Sequence, residues 1–463
     1  MSEPLFGTDG MRARAGEEPL TPPTLARLGR ILAERVRAGL PGATPAGAQR
    51  PGGRPPRVLL GHDGRESGET LAAALSRGLN QGGVDVEVLG LAPTPAIAYL
   101  TSAGPYAAGI VVSASHNPAA DNGVKLLGPD GGKIPDALER ELERELVGAA
   151  PYPRVTPAGS LRRNKRLLGD VLAWYRNSAF PRLDLRGWRV ALDCGNGAYS
   201  QLGPRILRAF GAELRVLHDK PDGRNINDGC GALFPEEVAR ATREHGCVVG
   251  LTVDGDGDRG LLADGAGRVL DGDALLAGLG THLLRHGRLP QRTVVATIMS
   301  NLALERHLAA AGGQLLRVPV GDRNVAAAMR AGGYRLGGEK SGHLLFGPEH
   351  GYRGDGMYNL LRVVAAVQED GLAMERFGAG YRDLPQQLVN VPVTRRVPLE
   401  QLRRLQAAVA ALERELNGAG RVVVRFSGTE LRLRLMVEAD SELQVRSALE
   451  RLQQAAAADG ILA

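Results

Sequence analysis

Hydrophobic and polar positions along the chain follow two periods in turn, and their order predicts a repeated helix and strand arrangement. Apolar residues recur with a helical period from Leu25 to Val36, and the apolar strand RVLLG begins at Arg57. A helix from about Ser67 to Gln81 follows, and then the strand-like runs VDVEVLGL and AAGIVVSAS. This βαβ rhythm is typical of a mostly parallel sheet covered by helices.

The same rhythm restarts twice. The second round has strands at WRVALD from Trp188, at AELRVLH and at CVVGLTV, with helices near 203–210 and from Pro235. The third has TVVATIMSN, QLLRVPVG and YRLGGE as strands, with helices between them. Three blocks of similar size predict three related, doubly wound αβ domains. We place them at residues 1–155, 156–258 and 259–375.

The last block has a different order. From about Gln386 the pattern predicts a strand, a helix, two closely spaced strands and a final helix. We therefore expect a smaller α+β domain with an antiparallel sheet at residues 376–463. Between the first helix and the first strand, the segment from Gly39 to Pro56 is rich in Pro, Gly and Ala, and we expect a mobile surface loop there.

Composition narrows the class of protein. The 463 residues are 43% apolar, with no uninterrupted run of about 18 apolar residues, so we expect a multidomain enzyme and no membrane partner. The N-terminus lacks a basic region followed by an apolar run. The three cysteines have no CxxC spacing, which argues against a disulfide framework and a thiolate zinc site and favours the cytoplasm.

The net charge of +6 is spread along the chain and is not accompanied by an aromatic-rich basic segment. We therefore expect no nucleic-acid partner. The alternative is that some arginines bind an anionic small substrate while the others are solvated.

The first candidate for chemistry is SASHNP, residues 113–118, directly after the strand AAGIVV. A loop at the carboxyl end of a strand is where α/β sheets place ligands. Ser115 can act there as a nucleophile only with a base, a metal or a pre-formed phosphoester, and the flanks do not match the GxSxG sequence of esterases. We expect His116 to point away from Ser115 in an extended loop and to stabilise it. A plain Asn-Pro turn is the alternative.

The second candidate is DGDGDR, residues 254–259, which also follows a strand. Asp254, Asp256 and Asp258 bring three oxygen donors together, and the glycines between them let the backbone bend around a divalent cation. A calcium-binding EF-hand is excluded, because its sixth and twelfth positions hold Arg259 and Gly265. A surface Asp-Gly turn is the alternative.

The third candidate is RFSGTE, residues 425–430. The motif offers the hydroxyls of Ser427 and Thr429 and the open backbone of Gly428. The guanidinium groups of Arg425 and, in the following strand, Arg434 can also bind a phosphate. In the next strand Leu431, Leu433 and Leu435 share one face, and Arg434 shares the other with Arg432, so we expect one arginine to bind and the other to be solvated. A polar hairpin turn is the alternative.

The fourth candidate is GEKSGH, residues 338–343. In an extended segment Glu339, Ser341 and His343 would face one side and bind the hydroxyls of a sugar. FGTDGMR and DNGVK add two lesser elements, which set Arg12 and Lys125 near glycine-rich turns.

These four motifs, in this order along nearly the whole chain, closely resemble the α-D-phosphohexomutase superfamily. The resemblance implies four domains around a central cleft, three of them related αβ units. Within that superfamily FGTDGMR, SASHNPAADNGVKL, MSNLALE and VGDRNV are most similar to the bacterial phosphoglucosamine mutases. The resemblance implies a phosphoserine at Ser115. It also implies a Mg²⁺ ion that the serine phosphate holds together with Asp254, Asp256 and Asp258.

The resemblance assigns the other site residues as follows. Arg12, Lys125 and His343 would serve proton transfer and phosphate contact, and Arg259 would bind the phosphoryl group. Glu339 and Ser341 would bind sugar hydroxyls. The phosphate that is not being transferred would be held by Arg425, Ser427, Gly428, Thr429 and Arg434.

The implied reaction interconverts glucosamine 6-phosphate and glucosamine 1-phosphate through glucosamine 1,6-bisphosphate, and supplies UDP-N-acetylglucosamine synthesis. The chain departs from that subgroup at Ala13, Gly64, Lys340, Phe426 and Leu431. By the resemblance, Lys340 and Phe426 lie where the preference for substrate and phosphate could be set. A phosphomannomutase or phosphoglucomutase, a metal-dependent phosphatase and a non-enzymatic basic binding protein are the competing interpretations.

Overall fold

The computed structural model describes residues 5–7, 9–40, 55–148, 155–156, 158–427 and 431–463. The predicted surface loop between Gly39 and Pro56 falls almost entirely outside the described residues. None of the helices in the described part of the chain combines the length and apolarity that a membrane crossing requires.

The described residues form thirteen α-helices. They are α1 Pro22–Ala38, α2 Gly68–Gln81, α3 Thr94–Ala103, α4 Asp136–Val147, α5 Leu168–Trp174, α6 Tyr199–Ala209, α7 Pro235–Glu244, α8 Gly272–Arg285, α9 Leu302–Ala310, α10 Asp322–Gly332, α11 Gly356–Glu369, α12 Arg403–Leu416 and α13 Glu442–Ala458.

The strands within the described residues fall into four sheets. They are β1 Phe6–Gly7, β2 Gly10–Arg14, β3 Arg57–His62, β4 Asp85–Leu91, β5 Ala108–Val112, β6 Asp121–Leu127, β7 Leu161–Arg163, β8 Arg189–Asp193, β9 Glu213–Leu217, β10 Val249–Val253, β11 Gly260–Asp264, β12 Val269–Leu270, β13 Thr293–Thr297, β14 Gln314–Val318, β15 Leu336–Gly338, β16 Leu344–Phe346, β17 Gln386–Pro392, β18 Arg421–Phe426 and β19 Arg432–Glu438.

Several helices begin at a residue whose side chain caps them. Thr21 accepts a hydrogen bond from the backbone N–H of Thr24 at the start of α1, and Asp271 accepts one from Ala274 at 2.9 Å at the start of α8. Asp355 caps α11 in the same way. The apolar period predicted for the first helix is confirmed, because its leucines and isoleucine are buried along one face.

The first sheet has the order β1-β2-β6-β5-β3-β4-β7. Its centre is parallel as predicted, with β3 between β4 and β5, but β6, β2 and β1 add an antiparallel edge. Lys125, which we expected near a turn, lies within β6. Gly123 allows this pairing, because a Cβ atom there would lie 2.4 Å from the carbonyl oxygen of Ser113.

The second sheet has the order β12-β11-β10-β8-β9, and the antiparallel pair β10 and β11 forms a hairpin. DGDGDR is the turn of this hairpin. The predicted boundary after Asp258 would divide it, and β7, which follows the predicted boundary at residue 155, pairs with β4 of the first sheet. We propose that the first and second units extend to Arg163 and Leu270.

The third sheet has the order β14-β13-β15-β16, and the fourth has β17-β19-β18 with antiparallel pairing throughout. The predicted fold of three αβ units and a smaller α+β unit is confirmed. One apolar cluster, whose buried members run from Leu59 to Tyr381, joins the first three sheets. The fourth sheet and its two helices have a cluster of their own, from Val391 to Ile461.

Trp174 lies at the junction of the first three units. Its indole stacks on the ring of Tyr99 from α3, with ring centroids 4.6 Å apart, and on the imidazole of His350 at 5.4 Å. Tyr358 from α11 extends the stack. Aromatic side chains of three units therefore pack together at one point.

Candidate active site

Two of the predicted motifs meet where their strands end. Ser115 follows β5, and Asp254 follows β10. The Ser115 hydroxyl donates a hydrogen bond to Asp254 Oδ2 at 2.5 Å, and both residues are buried. The serine of one unit and the acidic hairpin of the next therefore form one centre.

The Ser115 loop is held in a tight turn. Ser115 has a φ of 53°, in the left-handed region that non-glycine residues seldom adopt. Its backbone N–H donates to the hydroxyl of Ser113 at 2.8 Å, and that hydroxyl donates to Asp63 Oδ2 at 2.6 Å. The plain-turn alternative thus describes the backbone correctly, but the turn is buried and presents its hydroxyl to a carboxylate.

Arg65 holds the same loop from behind. Its guanidinium is buried, forms a 2.8 Å ion pair with Asp63, and donates to the carbonyl oxygens of Ser115 at 3.0 Å and Asn117 at 2.7 Å. It also donates to the carbonyl oxygens of Pro118 and Asp121. The sequence motifs do not point to Arg65. The signal that could have found it is a charged pair directly after the buried strand β3.

The three aspartates form a compact acidic cluster. One carboxylate oxygen from each of Asp254, Asp256 and Asp258 lies within 4.8 Å of the others, and all three residues are buried. Within the described part of the chain, Asp256 Oδ1 and Asp258 Oδ1 are buried without a hydrogen-bond partner. Because buried carboxylate oxygens are costly unless they are paired or bound to a cation, this donor set fits a hard divalent ion such as Mg²⁺.

The pKa values of Asp254 and Asp258 are shifted in opposite directions. Burial, together with the charges of Asp258 and Asp256, raises the pKa of Asp254 well above its ordinary value. Burial acts on Asp258 in the same direction, but Lys125 and His343 outweigh it and lower the pKa of Asp258 to about 2. The repulsion among the carboxylates is therefore only partly balanced by the neighbouring side chains.

Lys125 is the main internal counter-charge. Its Nζ lies 2.7 Å from Asp256 Oδ2, 2.9 Å from Asp258 Oδ2 and 3.1 Å from Asp9 Oδ2. Burial favours the neutral amine, but the three carboxylates outweigh it and raise the pKa of Lys125 well above its ordinary value. Lys125 is therefore a charged ammonium group, which can donate a proton but cannot accept one.

His116 and Arg259 line the side of the Ser115 hydroxyl. The expectation that His116 points away is wrong, because the loop turns at Ser115 and brings His116 Nδ1 within 3.3 Å of its Oγ. Burial, then Arg259 and Arg12, lowers the pKa of His116 to about 4. The neutral Nδ1 accepts a hydrogen bond from Arg259 Nη1 at 2.9 Å, and the Arg259 backbone N–H donates to Asp254.

Arg12 and His343 complete the centre through an ionic network. Arg12 donates to Asn117 Oδ1 at 3.2 Å and pairs with Asp9, which also contacts Lys125 and Lys133. The network continues from Lys133 into the third unit. Lys133 pairs with Asp322 at 2.8 Å, and His343 lies 3.8 Å from Asp322 and 4.0 Å from Asp258.

A cavity of about 320 Å³ adjoins this network between the first and third units. Its lining includes Lys125, Asp258 and His343 together with Lys133 and Asp322. The sequence motifs single out neither Lys133 nor Asp322 for a role, because each is a lone charged residue whose partner lies far away in the chain.

GEKSGH is a hairpin turn between β15 and β16, so the expectation of an extended segment is wrong. The Gly342 N–H donates to the Glu339 carbonyl at 3.0 Å, which places Ser341 on the surface and His343 in the interior. Glu339 Oε1 accepts a hydrogen bond from the Gly321 N–H. The three side chains therefore do not share one face.

This turn packs directly on the acidic hairpin. Gly342 has a φ of 87°, and a Cβ atom there would lie 2.7 Å from the Gly260 carbonyl oxygen. The Gly260 N–H donates to the Gly342 carbonyl at 3.1 Å. The two loops are therefore fixed to each other, backbone against backbone.

RFSGTE begins within β18 of the C-terminal sheet. Arg425 of β18 and Arg434 of β19 are paired across the sheet, and Arg434 Nη2 donates to the Ser427 hydroxyl at 3.3 Å. Arg434 is half-buried and Arg432 is exposed. Leu431 lies just before β19 and is exposed, so it does not share the buried face of Leu433 and Leu435. Gly428 and Thr429 lie outside the described residues.

Four family models match the chain in succession. They are those for the alpha/beta/alpha domains I, II and III and the C-terminal domain of "Phosphoglucomutase/phosphomannomutase", which match residues 3–151, 173–267, 271–383 and 388–455. Among curated proteins, the phosphoglucosamine mutase of Anaeromyxobacter sp. (strain Fw109-5) is 42% identical, over 97% of this chain and 94% of its own. That of Thiobacillus denitrificans is 41% identical over the whole of both chains.

Solved structures with lower identity share the fold. A phosphoglucomutase/phosphomannomutase family protein from Burkholderia thailandensis is 24% identical with a TM-score of 0.80, over 99% of this chain and 98% of its own. The N-acetylphosphoglucosamine mutase of Aspergillus fumigatus, solved with GlcNAc-6P and magnesium, is 19% identical with a TM-score of 0.67, over 99% of this chain and 96% of its own.

Proposed function

The chain belongs to the phosphoglucomutase/phosphomannomutase family, and on that premise we propose that it is a phosphoglucosamine mutase that carries its phosphoryl group on Ser115. It is an isomerase that interconverts glucosamine 6-phosphate and glucosamine 1-phosphate and so supplies UDP-N-acetylglucosamine synthesis. The cytoplasmic location remains a prediction from the sequence.

The contact between the Ser115 hydroxyl and the acidic cluster supports this proposal most directly. A phosphoserine at this position would carry its charge beside Arg259 and next to three carboxylates. Such an arrangement is tolerable only where cations balance it. Phosphoryl transfer requires positioning and charge neutralisation above all, and this centre is built for both.

Asp254, Asp256 and Asp258 would hold Mg²⁺ together with the phosphate on Ser115, and the ion would draw charge from the phosphoryl group during transfer. The unpartnered oxygens of Asp256 and Asp258 support this assignment. Lys125 forms ion pairs with Asp256 and Asp258 and so balances part of the negative charge of the cluster.

In the first half-reaction the bond between phosphorus and Ser115 Oγ breaks, and a bond forms between phosphorus and the free hydroxyl of the hexosamine phosphate. The product is glucosamine 1,6-bisphosphate. The hydroxyl loses its proton as the new bond forms and the departing serine oxygen takes one up, and Lys125 and His343, which line the cavity beside Asp258, serve these two transfers. Arg12 and Arg259 hold the transferring phosphate.

In the second half-reaction the bisphosphate has turned over in the cleft and returns its other phosphate to Ser115. Throughout, the distal phosphate is held by Arg425, Ser427 and Arg434, with Gly428 and Thr429 of the same loop. Glu339 and Ser341 bind sugar hydroxyls from the third unit. Because one phosphate site serves two orientations of the sugar, the C-terminal unit must release and grip again.

Intact-mass measurement of the purified protein tests the proposal. We expect an increase of about 80 Da, located to Ser115 by peptide mapping. In Ser115→Ala we expect no such increase and a loss of mutase activity of at least about 10⁴-fold, with glucosamine 1,6-bisphosphate present. Ser102→Ala, at an exposed serine on α3, is the matched control and should behave like the unaltered protein. Substantial mutase activity in Ser115→Ala would refute the phosphoserine scheme.

Values of kcat/KM for glucosamine, glucose and mannose phosphates, measured side by side, test the sugar. The highest value for glucosamine 6-phosphate is expected. A higher value for another hexose would make the protein a phosphoglucomutase or phosphomannomutase, and release of inorganic phosphate without isomerisation would favour a phosphatase.

A further inference from the structure

A second group of metal-binding side chains lies at the end of α8, on a different face of the third unit. His282 lies in the last turn of α8 and His286, four residues on, directly follows that helix, while Asp370 follows α11. Their nitrogen and carboxylate donor atoms lie within 4.8 Å of one another. Two histidines four residues apart, with a carboxylate opposite, match the ligand types and spacing of a transition-metal site.

Asp370 divides its two oxygens between different partners. Its Oδ2 forms a 2.6 Å ion pair with Arg285, while its Oδ1 is hydrogen-bonded to His286 Nε2 at 2.7 Å and lies 3.1 Å from His282 Nδ1. Glu369 pairs with Arg288 through one oxygen, and its other oxygen lies 3.4 Å from His282 Nε2. One oxygen and two ring nitrogens thus converge.

The His282 ring provides an independent indication of a ligand. The residue is 4% exposed, and among the described residues no group satisfies its buried Nδ1 with good hydrogen-bond geometry. The nearest carboxylate oxygen, Asp370 Oδ1, lies 3.1 Å away. A buried imidazole nitrogen beside a carboxylate oxygen can bind a cation that the two share.

We propose that His282, His286 and Asp370 bind a divalent transition-metal ion of the zinc type, at a site separate from the three aspartates. Imidazole nitrogens favour Zn²⁺, Co²⁺ and Ni²⁺, whereas Mg²⁺ favours oxygen ligands and does not compete there. The C-terminal end of α8 adds the negative end of the helix dipole. A cavity of about 220 Å³ beside His282, lined also by Thr281 and His307, leaves room for water to complete the shell.

A similar-looking group in the second unit does not have this character. Asp193, His218 and Cys230 also approach one another, but the Asp193 oxygens accept hydrogen bonds from the N–H groups of Gly195 and Gly231, both at 2.9 Å. His218 occupies a further position on Asp193. Backbone N–H groups therefore hold both carboxylate oxygens of that group, and it is a hydrogen-bonded junction.

The proposed metal ties α8 to α11. The other end of α8 reaches the candidate sugar loop, where the Gly272 N–H donates to the Lys340 carbonyl at 2.9 Å. Fourteen residues of helix, about 20 Å, separate the two ends. We therefore expect the metal to stabilise the third unit without taking part in the reaction.

Titration of the full-length protein with Co²⁺, followed by its visible absorption, tests the site. The protein is first treated with chelator and then kept in saturating Mg²⁺. We expect one Co²⁺ per chain with a d–d absorption band, and affinity at least about tenfold weaker in His286→Gln. His245→Gln, at an exposed histidine at the end of α7, is the matched control and should bind as the unaltered protein does.

Three further results decide the interpretation. Zn²⁺ should raise the Tm of the unaltered protein and not that of His286→Gln, and mutase activity in Mg²⁺ should be the same for both. Asp256→Asn should keep the Co²⁺ band, because the band belongs to the histidine site. Equal Co²⁺ binding by the unaltered protein and His286→Gln, or loss of the band in Asp256→Asn, would overturn the proposal.

Discussion

The serine–aspartate centre and the C-terminal phosphate loop are held in different ways. Ser115 is fixed by Arg65, and the acidic hairpin is packed on the GEKSGH turn at Gly342. The first three sheets also share one apolar cluster. The C-terminal unit has its own core and contacts the third unit through polar groups, such as Arg421 with the Ser300 carbonyl and Asn301 with Leu384.

This difference separates two tasks of a mutase. The groups around the transferring phosphoryl must keep their positions to within fractions of an ångström, and a shared core with backbone contacts provides that. The group that binds the distal phosphate must release it and bind again. A unit attached by hydrogen bonds can move in this way at a lower cost in free energy than one that shares a core. Four substitutions probe the comparison.

Asp256→Asn should have the largest effect. Asparagine keeps the shape but removes one ionised metal ligand, so we expect kcat to fall on the order of 10³-fold at saturating Mg²⁺. Steady-state assays over a range of Mg²⁺ concentrations check this. Asp228→Asn, at an exposed aspartate of the second unit, is the control. A loss below tenfold would remove Asp256 from the metal site.

Arg65→Lys should follow. Lysine keeps the charge beside Asp63 but cannot reach the carbonyl oxygens that the guanidinium fork holds, so the Ser115 loop shifts. We expect kcat to fall about 10²-fold with KM changed little. Parallel Tm and intact-mass measurements separate a shifted loop from an unfolded protein. An unchanged kcat would mean that the loop does not need this support.

Arg434→Lys probes the C-terminal unit. Loss of a two-pronged contact to phosphate should lower kcat/KM about tenfold, mostly through KM. The matched control is Arg432→Lys, two positions earlier on the same face of β19 but exposed, for which we expect no change. Equal effects of the two substitutions would contradict the assignment of Arg434.

Lys340→Gln should have the smallest effect. Lys340 joins the GEKSGH turn to Asp383, which lies just before β17, at 2.5 Å. Because both side chains are partly exposed, the ion pair contributes little to stability, and we expect kcat/KM to change by about threefold or less. The ratio of kcat/KM values for glucosamine and glucose phosphates should be measured too. A change in that ratio would assign Lys340 to sugar preference.

The parts of the fold with a strong period could be predicted from the sequence. The helix at Pro22–Ala38, the strand at Arg57–His62 and the element order of the C-terminal unit all agree with the structure. The antiparallel edges were not predictable, because β6, β11 and β16 form through pairing with a neighbour and not through a local pattern.

The candidate site was predictable where a loop follows a buried strand. That rule found Ser115 and the three aspartates, which the structure brings together. It failed for GEKSGH, whose alternation resembles a strand although Gly342 turns the chain. It also missed Asp9, which draws Arg12, Lys125 and Lys133 together, because such pairing arises only when separate units pack.

The stack around Trp174 gives the protein an internal optical reporter. The chain has only two tryptophans, and Trp174 touches rings from the first and third units, while Trp188 lies at the start of the second sheet. Indole emission depends on the distance and orientation of neighbouring rings. A rearrangement among the first three units would change the colour or intensity of that light, whereas a swing of the C-terminal unit alone would leave it as it was.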